Sequence, residues 1–390
     1  MKRIAIISFF HYETSLCLAK YIAKQGIAVD YYAIVDYLRD QGVVSGFEYK
    51  NAKKTLGIHH LKEIEIPEIY GYTKGLDVNY YLMRIISYSP KAFFFNKIIL
   101  RSCLNKIDNV GYEAINLIGQ HQWMTFIHVC LESQNIVHTF HEVGSHQSGK
   151  RKTPLMDFVI RNRSKVILPS TATYNAFLSL SDANKCNVAK IPFGKMETLL
   201  LYHSNVELSL TIDVSKPTFL FYGFIKPYKG LDLLAKVMDE LEDKFDKFNL
   251  VIAGGGHDEN ISYFQSLPNC DIINRYLTNE EMMALNKMAK AVLLPYKSAS
   301  QSGIVTNTFL YGKPIIGTKV GALNETIING VNGLLVENGD YLGFAQAMMK
   351  ILDDNNLYEA LCIGARNFGN GDDYDWNVIA RKTLDFLLTK

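Results

Sequence analysis

No G-x-S-x-G, H-E-x-x-H or P-loop motif occurs in this 390-residue chain, and no G-x-G-x-x-G follows its first apolar run. Serine hydrolase, zinc protease, P-loop NTPase and simple dehydrogenase chemistries therefore lose their usual support. Cysteine is sparse and unpaired in sequence: Cys17, Cys103, Cys130, Cys186, Cys270 and Cys362 include no C-x-x-C. They read as reduced core residues of a cytosolic protein. Charge of one sign is lacking too, since 41 Lys and Arg are set against 39 Asp and Glu for a net +2. That balance gives no reason to expect nucleic acid as a partner. No stretch approaches the roughly 18 uncharged apolar residues of a membrane span. The run Ile4 to Phe10 after Met1-Lys2-Arg3 is short for a leader and has no small-residue cleavage site, so it is expected to be a first strand. Internal repeats and low-complexity segments are absent as well.

What the chain does have is length for two domains of roughly 150 to 200 residues each, and ordinary globular proportions, 48% hydrophobic and 21% charged. Strand and helix patterns alternate along it. In the first half, strands are predicted at Arg3 to Phe9, Ala28 to Ile34, Ala114 to Ile118, Ile136 to Phe140, Lys165 to Leu168 and Val188 to Ile191. The second half alternates more clearly, from a strand at Thr218 to Tyr222 onward to one at Gly333 to Val336. Such βα units imply parallel sheets with helices on both faces, two doubly wound domains facing across a cleft. The pattern lapses over 195 to 216, which places the domain boundary before Pro217. The segment 79 to 104, YYLMRIISYSPKAFFFNKIILRSCLN, interleaves aromatics with Lys and Arg. It reads mainly as two ordinary helices about Pro90, with a membrane-surface or lipid-acceptor role as the functional alternative.

The most informative stretch is AVLLPYKSASQSGIVTNTFLYGKPIIGTKVG, residues 291 to 321. An apolar strand runs into a small polar loop, Gly303 opens a helix, Gly312 stops it, and a strand follows. Free N–H groups of that helix would face Ser300, Gln301 and Ser302, beyond the carboxyl end of a strand, where ligands of open α/β sheets lie. A phosphate-bearing ligand is expected there. A second anion loop sits in PTFLFYGFIKPYKGLDLL, residues 217 to 234, where Gly223 permits a tight turn and Lys226 and Lys229 precede a helix. Alone it would be a solvated basic loop; paired with the first it fits a diphosphate. The run Gly254-Gly255-Gly256 marks a third strand end on the same edge. In the first half, VHTFHEVGSHQSGK, residues 137 to 150, leaves three readings open: metal ligands, acid/base or sugar-contacting groups, and structural histidines. The spacing of His138, His141 and His146 is not that of a recognised metal site, so no metal is expected. His138 reads as structural, and His141, at the strand's carboxyl edge, as the functional candidate.

The segments GFIKPYKGLDLL, VIAGGG, YLTNEEM, SQSGIV with YGKPIIGTKVG, and NGVNGLLVENGD together resemble the nucleotide-sugar domain of glycosyltransferase family 4, in a branch lacking its usual paired glutamates. HEVGSHQSGK, VILPSTATYNAFL and VAKIPFGK resemble the acceptor-side domain more loosely. The resemblance implies a GT-B fold, with an acceptor-side domain over residues 1 to 200, a nucleotide-sugar domain over 201 to 373, and a closing helix near 374 to 390, including Trp376, returning to the first domain. It also implies a nucleotide-diphosphate sugar donor, transfer with retention, no obligatory metal and no further cofactor. Lys229 matches the family's phosphate-binding Lys, whereas Phe224 stands in place of its Arg and Lys226 is the candidate substitute. The family's second glutamate falls on Asn307 and the first near Gln301, residues that still hydrogen-bond sugar and ribose hydroxyls. His141, Lys229 and Gln301 are the catalytic candidates; Gly223, Lys226, Tyr276, Ser302, Gly303, Ile304 and Asn307 are the donor-binding ones.

The expected activity is hexosyl transfer to a glycan or lipid-linked acceptor in bacterial surface polysaccharide or lipopolysaccharide synthesis. The expected place is the cytoplasm, with peripheral membrane contact through residues 79 to 104. Two alternatives stand beside it, a non-catalytic nucleotide-sugar-binding subunit that regulates a partner and a nucleotide-sugar 2-epimerase.

Overall fold

Alternate residues of the first strand, β1 (Arg3–Ser8), serve two apolar clusters: Ile4 and Ile6 enter one, Ala5 and Ile7 the other. A strand buried on both faces belongs to a sheet covered by helices on both sides. The computed structural model describes residues 2–389 apart from 40–42, 45–46, 50–51, 144–152, 203–205, 214 and 301–302. Contacts divide the chain into two units, Met1–Leu201 with Gly371–Lys390, and Tyr202–Asn370.

The first unit continues with β2 (Ala28–Asp36), a short antiparallel pair β3 (Val43–Val44) and β4 (Phe47–Glu48), then β5 (Gly57–His60), β6 (Val78–Ile85), β7 (Ile115–Ile118), β8 (Ile136–Thr139), β9 (Lys165–Leu168) and β10 (Asn187–Lys190). Its sheet runs β10-β9-β8-β7-β1-β2-β6-β5, parallel except at β5. Strand order reverses beside β1, so the carboxyl ends of β1, β7 and β8 form its ligand edge. The helix Trp376–Leu388 folds onto this unit: Trp376 Nε1 donates to the Lys195 carbonyl at 2.7 Å, and Ile379, Ala380, Leu384 and Leu387 join the cluster holding Ile4.

The second unit has β11 (Thr218–Tyr222), β12 (Asn249–Ala253), β13 (Cys270–Ile273), β14 (Ala291–Leu294), β15 (Ile315–Thr318) and β16 (Gly333–Val336), all parallel in the order β13-β12-β11-β14-β15-β16. That is the doubly wound order with its switch point between β11 and β14. The expected α/β class, two doubly wound parallel sheets, is the one adopted. A capping box at Thr278 and Glu281 opens the helix Asn279–Met288, each side chain closing on the other's backbone N–H.

One expectation fails. Residues 79 to 85 are strand β6 rather than a helix, and a single helix, Phe93–Asp108, follows Pro90. Val78 and Tyr80 are buried while Asn79 and Tyr81 are partly open, the two-residue period of a strand. Arg84, which made the run look amphipathic, is itself buried and donates to the Lys53 carbonyl at 2.9 Å.

Candidate functional site

At the switch point of the second unit, β11 runs into Gly223 at φ 110°, a conformation in which a side chain would be strained and would lie 2.7 Å from the Ile304 side chain. The β11 loop is thereby laid against the helix Gly303–Leu310. The same loop touches the β14 loop twice more. Lys297 N–H donates to the Tyr228 carbonyl at 2.8 Å, and Gly230, at φ 79°, passes so near the Pro295 carbonyl that a Cβ would stand 1.8 Å from its oxygen. The two loops that the sequence reading pairs as one diphosphate site are joined by these contacts.

Lys229 lies at that junction. It ends the 3₁₀ turn Pro227–Lys229, is 8% exposed, and its Nζ donates to the Tyr296 hydroxyl at 2.6 Å with the Tyr296 ring 3.8 Å away. No carboxylate pairs with it among the described residues. Burial, with Lys226 adding repulsion, lowers its pKa to about 7. A buried amine whose neighbours are a hydroxyl and two aromatic rings is poised for an anion.

Lys226 stands outside it, half-buried, its Nζ 5.5 Å from the centre of the Phe224 ring. Phe224, in the position where the resemblance expects Arg, is 49% exposed and meets Tyr276 edge-on at 5.3 Å, with Tyr276 75% exposed. Two open rings and a lysine therefore cap the carboxyl ends of β11 and β13. Gly303 and Ile304 open the eight-residue helix as expected, so their amides have no carbonyl partner within the helix itself. Asn307 is buried. Its amide nitrogen contacts Met282 Sδ at 3.2 Å and its Oδ1 has no partner among the described residues, so a ligand hydroxyl would satisfy it. Gln301 and Ser302 lie outside the described residues.

In the first unit His141 follows β8, 5% exposed, its ring sandwiched between His11 at 3.5 Å and Phe193 at 4.3 Å. Its Nε2 has no hydrogen-bond partner among the described residues, and burial holds its pKa well below the ordinary range, with the His11 charge adding to the effect. His141 is thus a neutral imidazole at neutral pH. His138 is buried and hydrogen-bonded to His128 at 2.8 Å, as a structural histidine should be. His146 lies outside the described residues. No group of three or more His, Cys, Asp or Glu among the described residues is placed to hold a metal.

His11 escaped the sequence reading. It follows β1, and both it and Phe10 have positive φ, 53° and 65°, uncommon for residues with a side chain. The only signal was its position directly beyond the first strand. With His121 beyond β7, three imidazoles stand on the carboxyl ends of three neighbouring strands.

Residues 207–368 match the family model described as Glycosyl transferases group 1. The D-inositol 3-phosphate glycosyltransferase of Xylanimonas cellulosilytica is 26% identical over 184 residues, 45% of this chain and 43% of that protein, so the match spans less than half its length. An uncharacterized glycosyltransferase of Methanocaldococcus jannaschii is 22% identical over 82% of this chain and 86% of its own. Among solved structures, the trehalose-6-phosphate protein of E. coli bound with UDP-2-fluoro glucose superposes with a TM-score of 0.64 at 9% identity, covering 100% of this chain and 99% of that one. Residues 207–368 thus carry the likeness to the glycosyl transferases group 1 model, in a chain whose fold is that of the GT-B glycosyltransferases.

Proposed function

We propose that the protein is a retaining glycosyltransferase that moves a hexose from a nucleotide-diphosphate sugar to a hydroxyl of a glycan or lipid-linked acceptor. We assign it to bacterial surface polysaccharide synthesis in the cytoplasm. One observation carries the donor side of this reading: Lys229, a buried amine with no acid partner among the described residues, beside the opening of the helix Gly303–Leu310 at the switch point of the second sheet. A diphosphate is the anion that fits, since one lysine, a second at Lys226 and a helix N-terminus converge on one edge.

The chemistry that follows is electrostatic. As the bond between the anomeric carbon and the diphosphate oxygen breaks, its electron pair stays on that oxygen. Lys229, Lys226 and the amides of Gly303 and Ile304 stabilise the charge. The acceptor oxygen bonds to the anomeric carbon on the face the diphosphate leaves, and its proton passes to a diphosphate oxygen. No protein nucleophile and no metal ion enters the scheme. That suits a chain with Asn307 and Gln301 where the family has acids. Asn307 binds the ribose, the Phe224 and Tyr276 rings border the base, and neutral His141 hydrogen-bonds a sugar or acceptor hydroxyl through Nε2.

Titration calorimetry with UDP, GDP and ADP and their sugars, followed by donor turnover across the same panel, tests the reading. Binding of one nucleotide series and release of its diphosphate are expected, with the product's anomeric configuration unchanged by NMR. Absence of binding throughout the panel would overturn it, and an epimerised sugar from donor alone would favour the 2-epimerase.

A further inference from the structure

The helix Phe93–Asp108 turns an unusual face to solvent. Its first turn carries Phe93, Phe94 and Phe95 at 46%, 68% and 60% exposure, and Ile98, one turn on from Phe94, is 57% exposed. The inward side of the same helix is well satisfied: Leu100, Cys103, Leu104 and Ile107 are buried in the core of the first unit. Asn96 fixes the helix start, accepting from Ile86 N–H at 2.8 Å and donating to the Ser87 carbonyl at 2.6 Å. The aromatic residues are thus held rigidly outward by a well-anchored helix, and their exposure is not a fraying end. Phe93 leans back on Trp123 at 4.7 Å, while Phe94 and Phe95 meet edge-on at 5.7 Å and project outward.

Charge frames this apolar face on one side of the ledger only. Lys91, Lys97, Arg101 and Lys106 lie in the stretch from Ile86 to Ile107, which contains no Asp or Glu. None of the four has an ion-pair partner among the described residues; Lys97 lies over the Phe93 and Phe126 rings at 5.4 and 5.5 Å. Asp108, at the helix end, is occupied by Ser133 at 3.1 Å and Gln134 at 2.9 Å. The neighbouring helix Trp123–Cys130 holds no acid and adds Val129 at 47% exposure, while Glu132, just past its end, is the one carboxylate that acts on Cys130 among the described residues, against the two cations Lys97 and Arg101. Unpaired cations around exposed aromatic and aliphatic side chains are the chemistry of a membrane-interface helix. Rings enter the boundary between headgroups and acyl chains while Lys and Arg meet anionic headgroups. No helix among the described residues is long and apolar enough to cross a membrane, so contact through this face would be peripheral.

We propose that the Phe94, Phe95 and Ile98 face of this helix, framed by Lys91, Lys97, Arg101 and Lys106, docks the protein on an anionic lipid bilayer. The proposal does not depend on the donor reading, and its test measures lipid binding alone. Flotation of the full chain with phosphatidylglycerol–phosphatidylethanolamine vesicles is compared with flotation on phosphatidylcholine vesicles. The protein floats with the anionic vesicles and is released by high salt. Phe94→Ser with Phe95→Ser, and separately Lys97→Glu with Arg101→Glu, each lower the bound fraction about tenfold or more. Unchanged thermal midpoints and far-UV circular dichroism show that both variants still fold, as expected for exposed side chains. Three results would overturn the proposal: no flotation of the wild type on anionic vesicles, equal flotation on both lipids, or wild-type flotation by the Ser variant. A fourth is sedimentation velocity showing a wild-type dimer that the Ser variant breaks, since a second copy would then own the face.

Discussion

Lys229 ties the stability of the free protein to the ligand it awaits. Its pKa is near 7 in the folded chain against 10.5 for an ordinary lysine, so between those values the unfolded chain holds a proton that the folded chain lacks. The sign follows: this group's penalty on folding is full below about pH 7, and stability of the free protein rises with pH across that window. A bound diphosphate raises the pKa again. Nucleotide binding at pH 8 should therefore take up a proton, visible as a dependence of the calorimetric heat on buffer ionisation enthalpy, and affinity should fall as pH climbs above 7. Lys229→Met should raise the thermal midpoint of the free protein, by on the order of 1 kcal/mol or more of stability, yet weaken nucleotide binding at least tenfold. A midpoint that falls, with binding intact, would make Lys229 a structural residue. His11 poses the same kind of trade. His11→Gly relieves a left-handed side-chain residue, worth about 1 kcal/mol, and should cost about tenfold in kcat/KM by removing one wall of the His141 sandwich. Lys229 could be picked out from sequence because its loop pairs with the Ser300 to Gly303 loop of the same sheet and because it stands where the resembled family has its phosphate-binding Lys. His11 and Tyr296 could not, because their meaning comes from rings and amines far away in the chain.

Among elements, strands buried on both faces were easy to find, as continuous apolar runs such as Thr218 to Tyr222 and Ala291 to Leu294. β6 was not, since Asn79 and Arg84 break its apolar run, and Arg84 meets Lys53 and Tyr49, residues from a stretch with no regular pattern. Short stretches rich in Tyr and Ile carry no period strong enough to separate helix from strand. Loop geometry was legible only where glycine spelled it out. Gly230→Ala should therefore act on the element scale, forcing the β11 loop off the Pro295 carbonyl. We expect a loss of roughly 2 kcal/mol or more in stability by denaturant titration, together with loss of nucleotide binding, because the turn bearing Lys229 moves with it.

On the scale of the whole molecule, the doubly wound class followed from the alternation of βα units, whereas the strand orders that set the switch points are seen only in the structure. The candidate donor site of the second unit was readable for the same reason, since both of its loops belong to one sheet. The histidine cluster of the first unit was less so, because His11, His121 and His141 come from the ends of three strands separated by long stretches of chain. Removing residues 375–390 should uncover Ile379, Ala380, Leu384 and Leu387 and the surface beneath them, at about 1.5 to 3 kcal/mol for each side chain. That sum rivals the whole stability of a domain, so the truncated protein should aggregate or show cooperative loss of the first unit by hydrogen exchange, while the second unit keeps its protection.

The return of the helix Trp376–Leu388 also has a consequence in time. Domains generally fold in the order they are synthesised. Here the first unit cannot close its core over Ile4, Leu16 and Ile22 until residues 371–390 have been made, by which point every residue of the second unit is already in the chain. The half made first is the half finished last.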